Sequence, residues 1–403
     1  MALDAKLQQG PSVRRKLVII TNTPTPYRNH LYRHLWQTGD ARGIDVEIWF
    51  QMRRERGRPW AYRRQDLDYP CRFLPSVTIP MWPIPLLWNP GLLGDLLKTK
   101  PWHVILGGYT SIAAPALSVL ARHQWLPVSL WSEGCDAFTR SSLLRRYKQW
   151  IVRGFGSFVV PGKLAREFIE DLRSTREQPP IFVPFPNVVD ETKYAVLAVE
   201  RRRSSRINAL RKKWQVPDGA LALISPMRLE WFKDPLTLCG AIEKANIPHL
   251  LLLVAGEGSL RTRIEQTDAF QRGQVRLLGQ RSEAEMLELY MLADAFILAS
   301  RYDSYPLSAI EAAWAGLPFI LSDHVGCYPE VLGGGENGFV FPAGDMIALV
   351  GILQTIATLP GDCQLQMGRS SHVVARQGFS TRSVVETLFD GLESMSVTTS
   401  NQA

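Results

Sequence analysis

The sequence predicts an α/β protein built from two Rossmann-like, doubly wound domains. Its 403 residues exceed what one ordinary hydrophobic core holds, which indicates two domains. Short β-branched runs bounded by Gly, Pro or Asp alternate with longer amphipathic segments, as they do in parallel sheets covered by helices. These runs fall into two series, so we expect one parallel sheet in each half of the chain.

The first series predicts six strands, with helices between them at Tyr27–Trp36 and Ser111–His123. Its apolar runs are Leu17–Thr21, Val46–Phe50, Val104–Leu106, Val128–Trp131, Phe158–Val160 and Ile181–Val183. The second series predicts five strands, at Leu221–Ser225, Leu250–Ala255, Val275–Gly279, Ala295–Ala299 and Phe319–Ser322. Two such series are what two parallel sheets require.

Residues 184–218 separate the two series and contain an Arg-rich segment, so they are the expected linker. We place residues 1–195 in an N-terminal domain and residues 196–376 in a C-terminal domain. Residues 380–394 have helical spacing. This spacing predicts a C-terminal helix within residues 377–403, which either crosses back to the N-terminal domain or docks on its own domain.

The composition is that of a folded protein, with 46% hydrophobic and 21% charged residues. Five cysteines with wide spacing and no CxxC pair indicate neither a disulfide framework nor a zinc site. The first ten residues lack the apolar core of a signal peptide, and the first hydrophobic run, Leu17–Ile20, is too short to span a bilayer. We therefore expect a cytoplasmic protein, with peripheral contact at the inner membrane face as a further expectation.

The formal net charge of +8 is concentrated in two basic clusters. The first cluster consists of Arg53, Arg54, Arg56, Arg58, Arg63 and Arg64. The second consists of Arg201, Arg202, Arg203, Arg206, Arg211, Lys212 and Lys213. Such clusters attract phosphate-rich partners, but a solvated loop and a solvated helix face have the same composition. No helix-turn-helix, zinc-finger or RNP-like pattern accompanies the charge, so nucleic acid is not an expected partner.

The stretch Ile79–Leu93 interrupts the alternation of strands and helices. It carries two tryptophans and four prolines among aliphatic residues. A transmembrane helix is excluded, because proline breaks the helix that lipid demands. Two interpretations remain: a buried irregular connection, or an apolar lip over an acceptor or a membrane surface beside the first basic cluster.

A basic pair follows the first strand of the second series. Open α/β sheets bind phosphates beyond the carboxyl ends of their strands, where helix N-termini present free N–H groups. Arg228 and Lys233 lie five residues apart in such a connection. A guanidinium and an ammonium there can clamp a diphosphate and stabilise it as it departs. The pattern alone is weak, because an Arg and a Lys in a loop are usually solvated.

Two carboxylates follow the fourth strand of the second series. Asp303 precedes a predicted helix and Glu311 lies within it, so the two can address different parts of one ligand. Pro306 suits the first turn of that helix, which leaves the amides of Leu307 and Ser308 free to meet an anion. The alternative is that Asp303 only caps the helix, as loop aspartates often do.

Together these elements resemble glycosyltransferase family 4, retaining enzymes of the GT-B architecture. The resemblance rests on Asp303 and Glu311 with the EAAWAGLP that begins at Glu311, the Arg228–Lys233 pair, the VAGEG of Val254–Gly258, and Leu278-Gly279 followed by Glu285, Tyr290 and Ala293–Ala295. These motifs cover most of residues 220–345. The N-terminal half matches only loosely, through PTPYR after the first strand and WSEG at Trp131–Gly134.

The resemblance implies a retaining, metal-independent hexosyltransferase that needs no cofactor and uses a nucleotide diphosphate sugar. The acceptor would be a glycan, a lipid-linked sugar or a small molecule, as in polysaccharide or glycoconjugate biosynthesis. The C-terminal domain would bind the donor, and the N-terminal domain would bind the acceptor across a cleft. The implied catalytic residues are Asp303, at the transferred sugar, and Arg228 and Lys233, at the diphosphate.

Donor binding is also implied for several other residues. Glu311 would hold the ribose hydroxyls, and the amides of Leu307 and Ser308 would receive the distal phosphate. The remaining implied donor-binding residues are Tyr305, Ser304, Gln280, Arg281 and Gly256, with Gln280 and Arg281 bordering the base.

The chain departs from the family pattern at three places. Asp303 stands where the family has glutamate, which shortens the reach to the sugar. Ser304 and Pro306 stand where glycines are usual, and Pro306 removes one N–H group. The first strand is followed by Thr23-Pro24-Thr25-Pro26 rather than a glycine-rich loop, so a diphosphate contact from the N-terminal domain stays open.

The acceptor is expected over the N-terminal domain, near Tyr27, Arg28, Tyr109 and Glu133. For Glu133 an ordinary surface position is the alternative. Two other functions stay open: a nucleotide-sugar epimerase or hydrolase on the same fold, and a non-catalytic subunit that binds an anionic surface through its basic, tryptophan-rich N-terminal stretch. A dinucleotide dehydrogenase is disfavoured, because no GxGxxG follows the first strand.

Overall fold

The computed structural model describes residues 14–53, 64–79, 86–109, 111–134, 142–173, 179–200 and 204–400. Within them lie a seven-stranded sheet, a six-stranded sheet and one two-stranded sheet. Some residues discussed above lie outside the described ranges: most of the first basic cluster, the middle of the Ile79–Leu93 stretch, Cys135 and Arg201–Arg203.

The N-terminal sheet has the strand order β3-β2-β1-β6-β7-β8-β9, and every neighbouring pair is parallel. Its strands are β1 (Arg15–Thr21), β2 (Ile44–Phe50), β3 (Cys71–Phe73), β6 (His103–Gly107), β7 (Val128–Trp131), β8 (Ser157–Val160) and β9 (Ile181–Pro184). A separate antiparallel hairpin consists of β4 (Val77–Ile79) and β5 (Leu86–Trp88). Parallel strands buried on both faces explain the continuous apolar runs of the sequence.

Helices cover both faces of this sheet. One face packs against α2 (Leu92–Thr99), α3 (Ala114–Arg122), α4 (Ser142–Val152) and α5 (Lys163–Leu172). The other face packs against α1 (Pro26–Ala41) and α16 (Thr381–Ser400). Because α1 and α3 lie on opposite faces, the strand order reverses between β1 and β6, and such a reversal leaves a crevice at the carboxyl ends of the strands.

The C-terminal sheet has the order β12-β11-β10-β13-β14-β15 and is also parallel. Its strands are β10 (Leu221–Pro226), β11 (Leu250–Ala255), β12 (Val275–Gly279), β13 (Ala295–Leu298), β14 (Phe319–Ser322) and β15 (Gly338–Phe341). Its helices are α6 (Glu191–Glu200), α7 (Ser204–Lys213), α8 (Pro235–Ala245), α9 (Arg261–Glu265), α10 (Asp268–Gln271), α11 (Glu283–Leu292), α12 (Leu307–Trp314), α13 (Tyr328–Val331), α14 (Met346–Thr358) and α15 (Gly361–Gly378). The order reverses between β10 and β13.

All eleven predicted strands are present, with ends that differ from the prediction by at most two residues. Four described strands were not predicted: β3, β4, β5 and β15. The first three have three residues each, and β15 has four and begins with glycine. None of the four is buried along its whole length, and a continuous buried apolar run is the strand signal that a sequence shows best.

The expected linker over residues 184–218 is mostly helical instead. Helix α6 buries Tyr194 and Leu197 in the C-terminal core, and α7 packs against α11. Two basic residues of α7 pair with acidic residues of the C-terminal domain, Arg211 donating to Asp294 at 2.7 Å and Lys213 pairing with Glu288. An Arg-rich segment therefore folds here because acidic partners lie opposite it, and the expected boundary between residues 195 and 196 falls inside α6.

The C-terminal helix α16 packs on the N-terminal domain. Val385, Leu388 and Phe389 are buried in the core cluster that also contains α1 and strands β1 and β2. Arg42 of the N-terminal domain donates to Asp390 at 2.6 Å. Among the described residues, no single helix is long and apolar enough to cross a bilayer. The segments Met346–Thr358 and Gly361–Met395 reach that length and hydropathy only as a pair, which is bent by 113°.

Candidate active site

The candidate active site lies along the carboxyl edge of the C-terminal sheet. Four adjacent strands, β12, β11, β10 and β13, end at this edge in that order. The residues that follow them are Gln280 and Arg281, then Gly256, then Arg228 and Lys233, and finally Asp303. Because the strand order reverses between β10 and β13, the crevice of the sheet opens between Lys233 and Asp303.

An ion pair joins the loops on the two sides of this crevice. The Lys233 ammonium donates a hydrogen bond to Oδ2 of Asp303, and both side chains are only 12% exposed. Burial raises the pKa of Asp303, and the charges of Lys233 and Arg228 oppose that shift. Helix α12 begins after Pro306 without a side-chain cap. The carboxylate of Asp303 therefore pairs across the crevice and does not cap the helix.

An aromatic ring lies beside both cations. The Arg228 guanidinium is 5.0 Å from the centroid of the Phe232 ring, and the Lys233 ammonium is 5.6 Å from it. Such contacts hold cations in place without neutralising them. Arg228 is exposed, whereas Lys233 is half-buried. The arrangement therefore leaves one cation open to an anionic ligand, and Phe232 is a site residue that sequence reasoning missed.

The loops after β10 and β13 are also tied together behind the ion pair. The Tyr302 N–H donates to the carbonyl of Phe232 at 3.0 Å. The Arg301 guanidinium lies 2.8 Å from the buried carboxylate of Asp234. Sequence reasoning missed Asp234 and Arg301, since an aspartate before a helix-starting proline is typical of a cap. The two contacts fix Lys233 and Asp303 relative to each other.

Gly256 supports the loop that carries Arg228. Its φ is +147°, and a Cβ atom there would lie 1.9 Å from the carbonyl oxygen of Met227. A Cβ on Gly258 would lie 2.5 Å from the carbonyl oxygen of Leu229. Only glycine permits this approach of two backbones. Close contact between the two backbones at the edge of the crevice therefore explains both glycines of the GEG sequence. The donor-binding role of Gly256 stays a prediction.

The carboxylate of Glu311 is held by two tyrosines. Tyr290 of α11 donates to Oε2 at 2.6 Å, and Tyr194 of α6 donates to Oε1 at 3.1 Å. Burial raises the pKa of Glu311, although both hydroxyls favour the charged form. The sequence did not indicate Tyr194, because it lies in the segment expected to be a linker. Both oxygens keep lone pairs that a further hydroxyl can use.

Four of the predicted donor-binding residues lie at the start of α12 or just before it. Leu307 and Ser308 are its first two residues, so their N–H groups have no partner within the helix. Ser304 shares a 2.7 Å hydrogen bond with the hydroxyl of Tyr302. Tyr305 is buried, and its hydroxyl has no hydrogen-bond partner among the described residues.

The surroundings of Tyr305 include both domains. Burial raises its pKa, and Glu330, Cys327 and the N-terminal domain's Glu133 act in the same direction. Tyr305 therefore lies at the interface between the domains. At the other end of the edge, Gln280 is exposed, and Arg281 donates to Glu285 at 3.0 Å. The structure brings the predicted C-terminal residues together along one edge.

A second polar site lies at the reversal point of the N-terminal sheet. Arg28 donates to Glu133 at 2.6 Å, and the two side chains are 16% and 29% exposed. The guanidinium also lies 4.7 Å from the Trp131 ring and 5.6 Å from that of Tyr27. The pair borders a cavity of about 150 Å³ lined by Thr21, Asn22, Arg28, Gly107, Gly108, Trp131 and Glu133.

Tyr109 completes the set of N-terminal candidates. Its hydroxyl shares a 3.0 Å hydrogen bond with Ser132, which precedes Glu133, and burial raises the pKa of Tyr109 to about 12. The phenol is therefore neutral at ordinary pH. Within the described part of the chain, no three His, Cys, Asp or Glu side chains form a group that could hold a metal ion. The described cysteines are free thiols: Cys71, Cys239, Cys327 and Cys363.

Comparison with known proteins concerns mainly the C-terminal half. Residues 206–369 match the family model of glycosyl transferases group 1. The chain is 30% identical over 182 residues to the putative glycosyltransferase EpsD of Bacillus subtilis, which covers 44% of this chain and 46% of that protein. It is 28% identical over 145 residues to the UDP-Gal:alpha-D-GlcNAc-diphosphoundecaprenol alpha-1,3-galactosyltransferase of Escherichia coli, which covers 34% of this chain and 35% of that protein. The matched part spans less than half the length of either relative.

A solved structure extends the likeness to both domains. The crystal structure of Anabaena Alr3699/HepE in complex with UDP and glucose aligns with a TM-score of 0.69 at 14% identity, over 94% of this chain and 100% of that chain. At this identity the likeness concerns the fold alone, and it confirms the predicted GT-B architecture of two Rossmann-like domains.

Proposed function

We propose that this GT-B chain, whose C-terminal domain matches group 1 glycosyltransferases, is a retaining glycosyltransferase of family 4. It would transfer a hexose from a nucleotide diphosphate sugar without a metal or another cofactor. The observation that carries the proposal is the crevice between β10 and β13, where Lys233, Asp303 and the exposed Arg228 converge. Two fixed cations at a strand edge suit a diphosphate.

In this proposal the diphosphate lies against Arg228, Lys233 and the first amides of α12. Arg228 offers a planar fork of donors, and Lys233 offers a point charge. These groups are held before the substrate arrives, so they stabilise the charge that develops on the departing diphosphate without reorganising. The acceptor hydroxyl would attack the anomeric carbon on the face from which the diphosphate leaves, with its proton passing to the departing phosphate oxygen.

The carboxylates would bind two other parts of the donor. Asp303 faces the same crevice as the cations, and we propose that it contacts the transferred sugar. Glu311 lies about one turn into α12 and would accept hydrogen bonds from the ribose hydroxyls. Its attachment to Tyr194 and Tyr290 supports this role, because the two phenols fix the carboxylate before the donor binds.

The acceptor would occupy the N-terminal side of the cleft, at the Arg28–Glu133 pair. One carboxylate and one guanidinium beside tryptophan form a polar, nearly neutral lining that suits a sugar's hydroxyls. The Escherichia coli relative acts on a sugar attached to diphosphoundecaprenol. We propose a lipid-linked or otherwise glycosidic acceptor for this chain and no nucleic-acid partner.

Peripheral membrane contact from the cytoplasmic side is part of the proposal. The hairpin of β4 and β5 pairs Val77 with Trp88 and Ile79 with Leu86, so these four apolar side chains share one face. Val77, Ile79 and Trp88 are 47%, 38% and 48% exposed, whereas Leu87 on the opposite face is buried. This favours the apolar-lip interpretation for Ile79 and Trp88, whereas Leu87 and Leu92 are buried, as in the alternative of a buried connection.

The donor assignment is tested by thermal stabilisation with UDP-, GDP-, ADP- and dTDP-sugars. A ligand that binds only the native protein raises its melting temperature by mass action. Product analysis with and without an acceptor then separates transfer from epimerisation or hydrolysis. Failure of every nucleotide sugar to stabilise the protein would contradict the proposed function.

Membrane contact is tested by co-sedimentation with anionic and neutral vesicles. The wild type should pellet with anionic vesicles at low salt and release as salt rises, because arginines of the first basic cluster each add about 1 kcal/mol near an anionic surface. Trp88→Ser should weaken pelleting. Trp125→Ser is the matched control, since Trp125 is 72% exposed but lies after α3. Equal or absent pelleting on both vesicle types would contradict a membrane role.

A further inference from the structure

A glutamate of the C-terminal domain caps a helix of the N-terminal domain. Glu330 lies on the short helix α13, and its Oε1 accepts a hydrogen bond from the main-chain N–H of Lys163 at 2.7 Å. Lys163 is the first residue of α5, and the residue before it, Gly162, supplies no side-chain cap. An anion at a helix N-terminus satisfies free N–H groups and the positive end of the helix dipole. The interaction of the Glu330 carboxylate with the N-terminus of α5 therefore stabilises a contact between the two domains.

The shape of the N-terminal domain at this point fits the carboxylate closely. A Cβ atom on Gly162 would lie 2.5 Å from Oε1, 2.6 Å from Cδ and 2.7 Å from Oε2 of Glu330. The carboxylate thus rests directly on a residue without a side chain. Oε2 is buried and has no hydrogen-bond partner among the described residues. The contact depends on glycine on one domain and on glutamate on the other.

The same helix α13 is continuous with the segment that braces the donor loop. Asp303 donates its N–H to the carbonyl of His324 at 3.1 Å, and its own carbonyl accepts from Gly326 at 2.7 Å. A Cβ on Gly326 would lie 1.6 Å from the carbonyl oxygen of Ser304, so the two backbones are in close contact. The N–H of Tyr328, at the start of α13, donates to Val325 at 2.8 Å. Movement of Glu330 would therefore be transmitted to Asp303 over a few residues.

We infer that Glu330 is a positioning residue that, by capping α5, holds the two domains in the arrangement in which the Asp303 loop faces the N-terminal site. Tyr305 supports this geometry, because its hydroxyl lies within the electrostatic influence of both Glu330 and Glu133. Glu330 itself would touch neither donor nor acceptor. The effect on turnover rests on the proposed function, whereas the effect on domain arrangement does not.

The test begins with the distance between the domains in the protein without ligand. Spin labels are attached to the exposed native Cys363 of α15 and to an introduced Lys98→Cys on α2, in a chain with Cys71 and Cys135 changed to serine. Glu330→Ala and Gly162→Ala should each broaden or lengthen the measured distance distribution. Glu330→Gln should preserve it, because the amide oxygen can still accept from Lys163.

Two matched substitutions serve as controls. Gly156→Ala adds a methyl group to the N-terminal domain where nothing lies within 4 Å of the new atom. Glu336→Ala removes an exposed glutamate from the C-terminal domain, which also contains Glu330. Both should leave the distance unchanged, and melting curves check that every variant folds. Distance distributions of Glu330→Ala and Gly162→Ala that superimpose on the wild type would overturn the inference.

Turnover supplies the second readout. With the donor found by thermal stabilisation, Glu330→Ala and Gly162→Ala should lower kcat by about ten- to a hundredfold, as displacement of a reacting group by an ångström can. Donor KM should change far less, and Glu330→Gln should restore most of kcat. Unchanged distances with normal turnover contradict the inference and leave the proposed function intact. Altered distances in a protein that transfers no sugar support the inference and contradict the proposed function.

Discussion

Both domains place a cation–carboxylate pair beside the reversal of their strand order, but they balance the charges differently. In the N-terminal domain Arg28 pairs with Glu133, one cation to one carboxylate, beside a small cavity. In the C-terminal domain Lys233 pairs with Asp303, and Arg228 adds a second cation that is exposed. The same fold thus places one cation beside one carboxylate at the N-terminal site, called the neutral site, and two cations beside one carboxylate at the C-terminal site, called the positive site. The difference indicates which side suits a diphosphate and which suits a sugar.

The largest expected effect is at the positive site. Lys233→Ala and Arg228→Ala should each lower turnover by about a hundred- to a thousandfold, the usual loss when one donor to a transition state is removed. Steady-state kinetics with the identified donor measures it. Lys244→Ala, which removes an exposed lysine from the following helix α8, is the control and should behave as wild type. Near-normal turnover in both site variants would show that the exposed charge serves something other than the reaction.

The two carboxylates of the positive site should differ in the kinetic constant that they affect. Asp303→Asn should act mainly on kcat, because a contact with the reacting sugar changes between ground and transition state. Glu311→Gln should act mainly on donor KM, by about tenfold, because ribose is bound equally in both states. If the two variants showed the opposite pattern, their roles would be exchanged.

The neutral site should affect the acceptor. Arg28→Ala and Glu133→Gln should raise acceptor KM by about tenfold and leave donor KM unchanged, because loss of one charged hydrogen-bond partner costs roughly 1.5–3 kcal/mol. Arg33 lies on the same helix as Arg28 and forms an exposed ion pair with Asp68, so Arg33→Ala is the control. A rise in donor KM instead would mean that the N-terminal domain contacts the diphosphate, and the contrast between the two sites would disappear.

The smallest effect concerns the pH dependence of stability. Burial raises the folded-state pKa of Glu311, so protonation of this carboxyl group stabilises the folded protein. This contribution to the free energy of unfolding is fully present below the ordinary carboxyl range and is lost as pH rises through the raised pKa. Glu311→Gln cannot ionise, so its melting temperature should rise by a few degrees relative to the wild type as pH increases above the ordinary carboxyl range. Thermal melts at several pH values measure this difference. A constant offset across the range would contradict the raised pKa.

The sequence predicted the fold well where buried strands were long enough to show their pattern. It did not indicate the helices α6 and α7 within residues 184–218, which pair with distant residues such as Asp294 and Glu288. Local composition there resembles a linker, and only the packed structure shows the matching acidic residues. Propensity is a weak guide wherever tertiary contacts decide the conformation.

The candidate site was predicted where its chemistry lies in contiguous motifs. Arg228, Lys233, Asp303 and Glu311 were found in this way. Arg301 and Tyr194, which hold Asp234 and Glu311, were missed because each is defined by a contact to another loop or helix, and Phe232 was missed although it contacts two cations of its own loop. Their importance for the site becomes visible only when the strands are placed in order.

The packing of the C-terminal helix α16 on the N-terminal domain has a consequence for folding during synthesis. The N-terminal core is completed by Val385, Leu388 and Phe389, which follow the entire C-terminal sheet in sequence. During synthesis, part of the apolar surface of the first domain therefore stays uncovered, while residues 191–378 form a contiguous unit that can fold first. Domains usually fold in order of synthesis. Here the order is expected to be reversed, and the first half of the nascent chain should recruit chaperones until its last helix arrives.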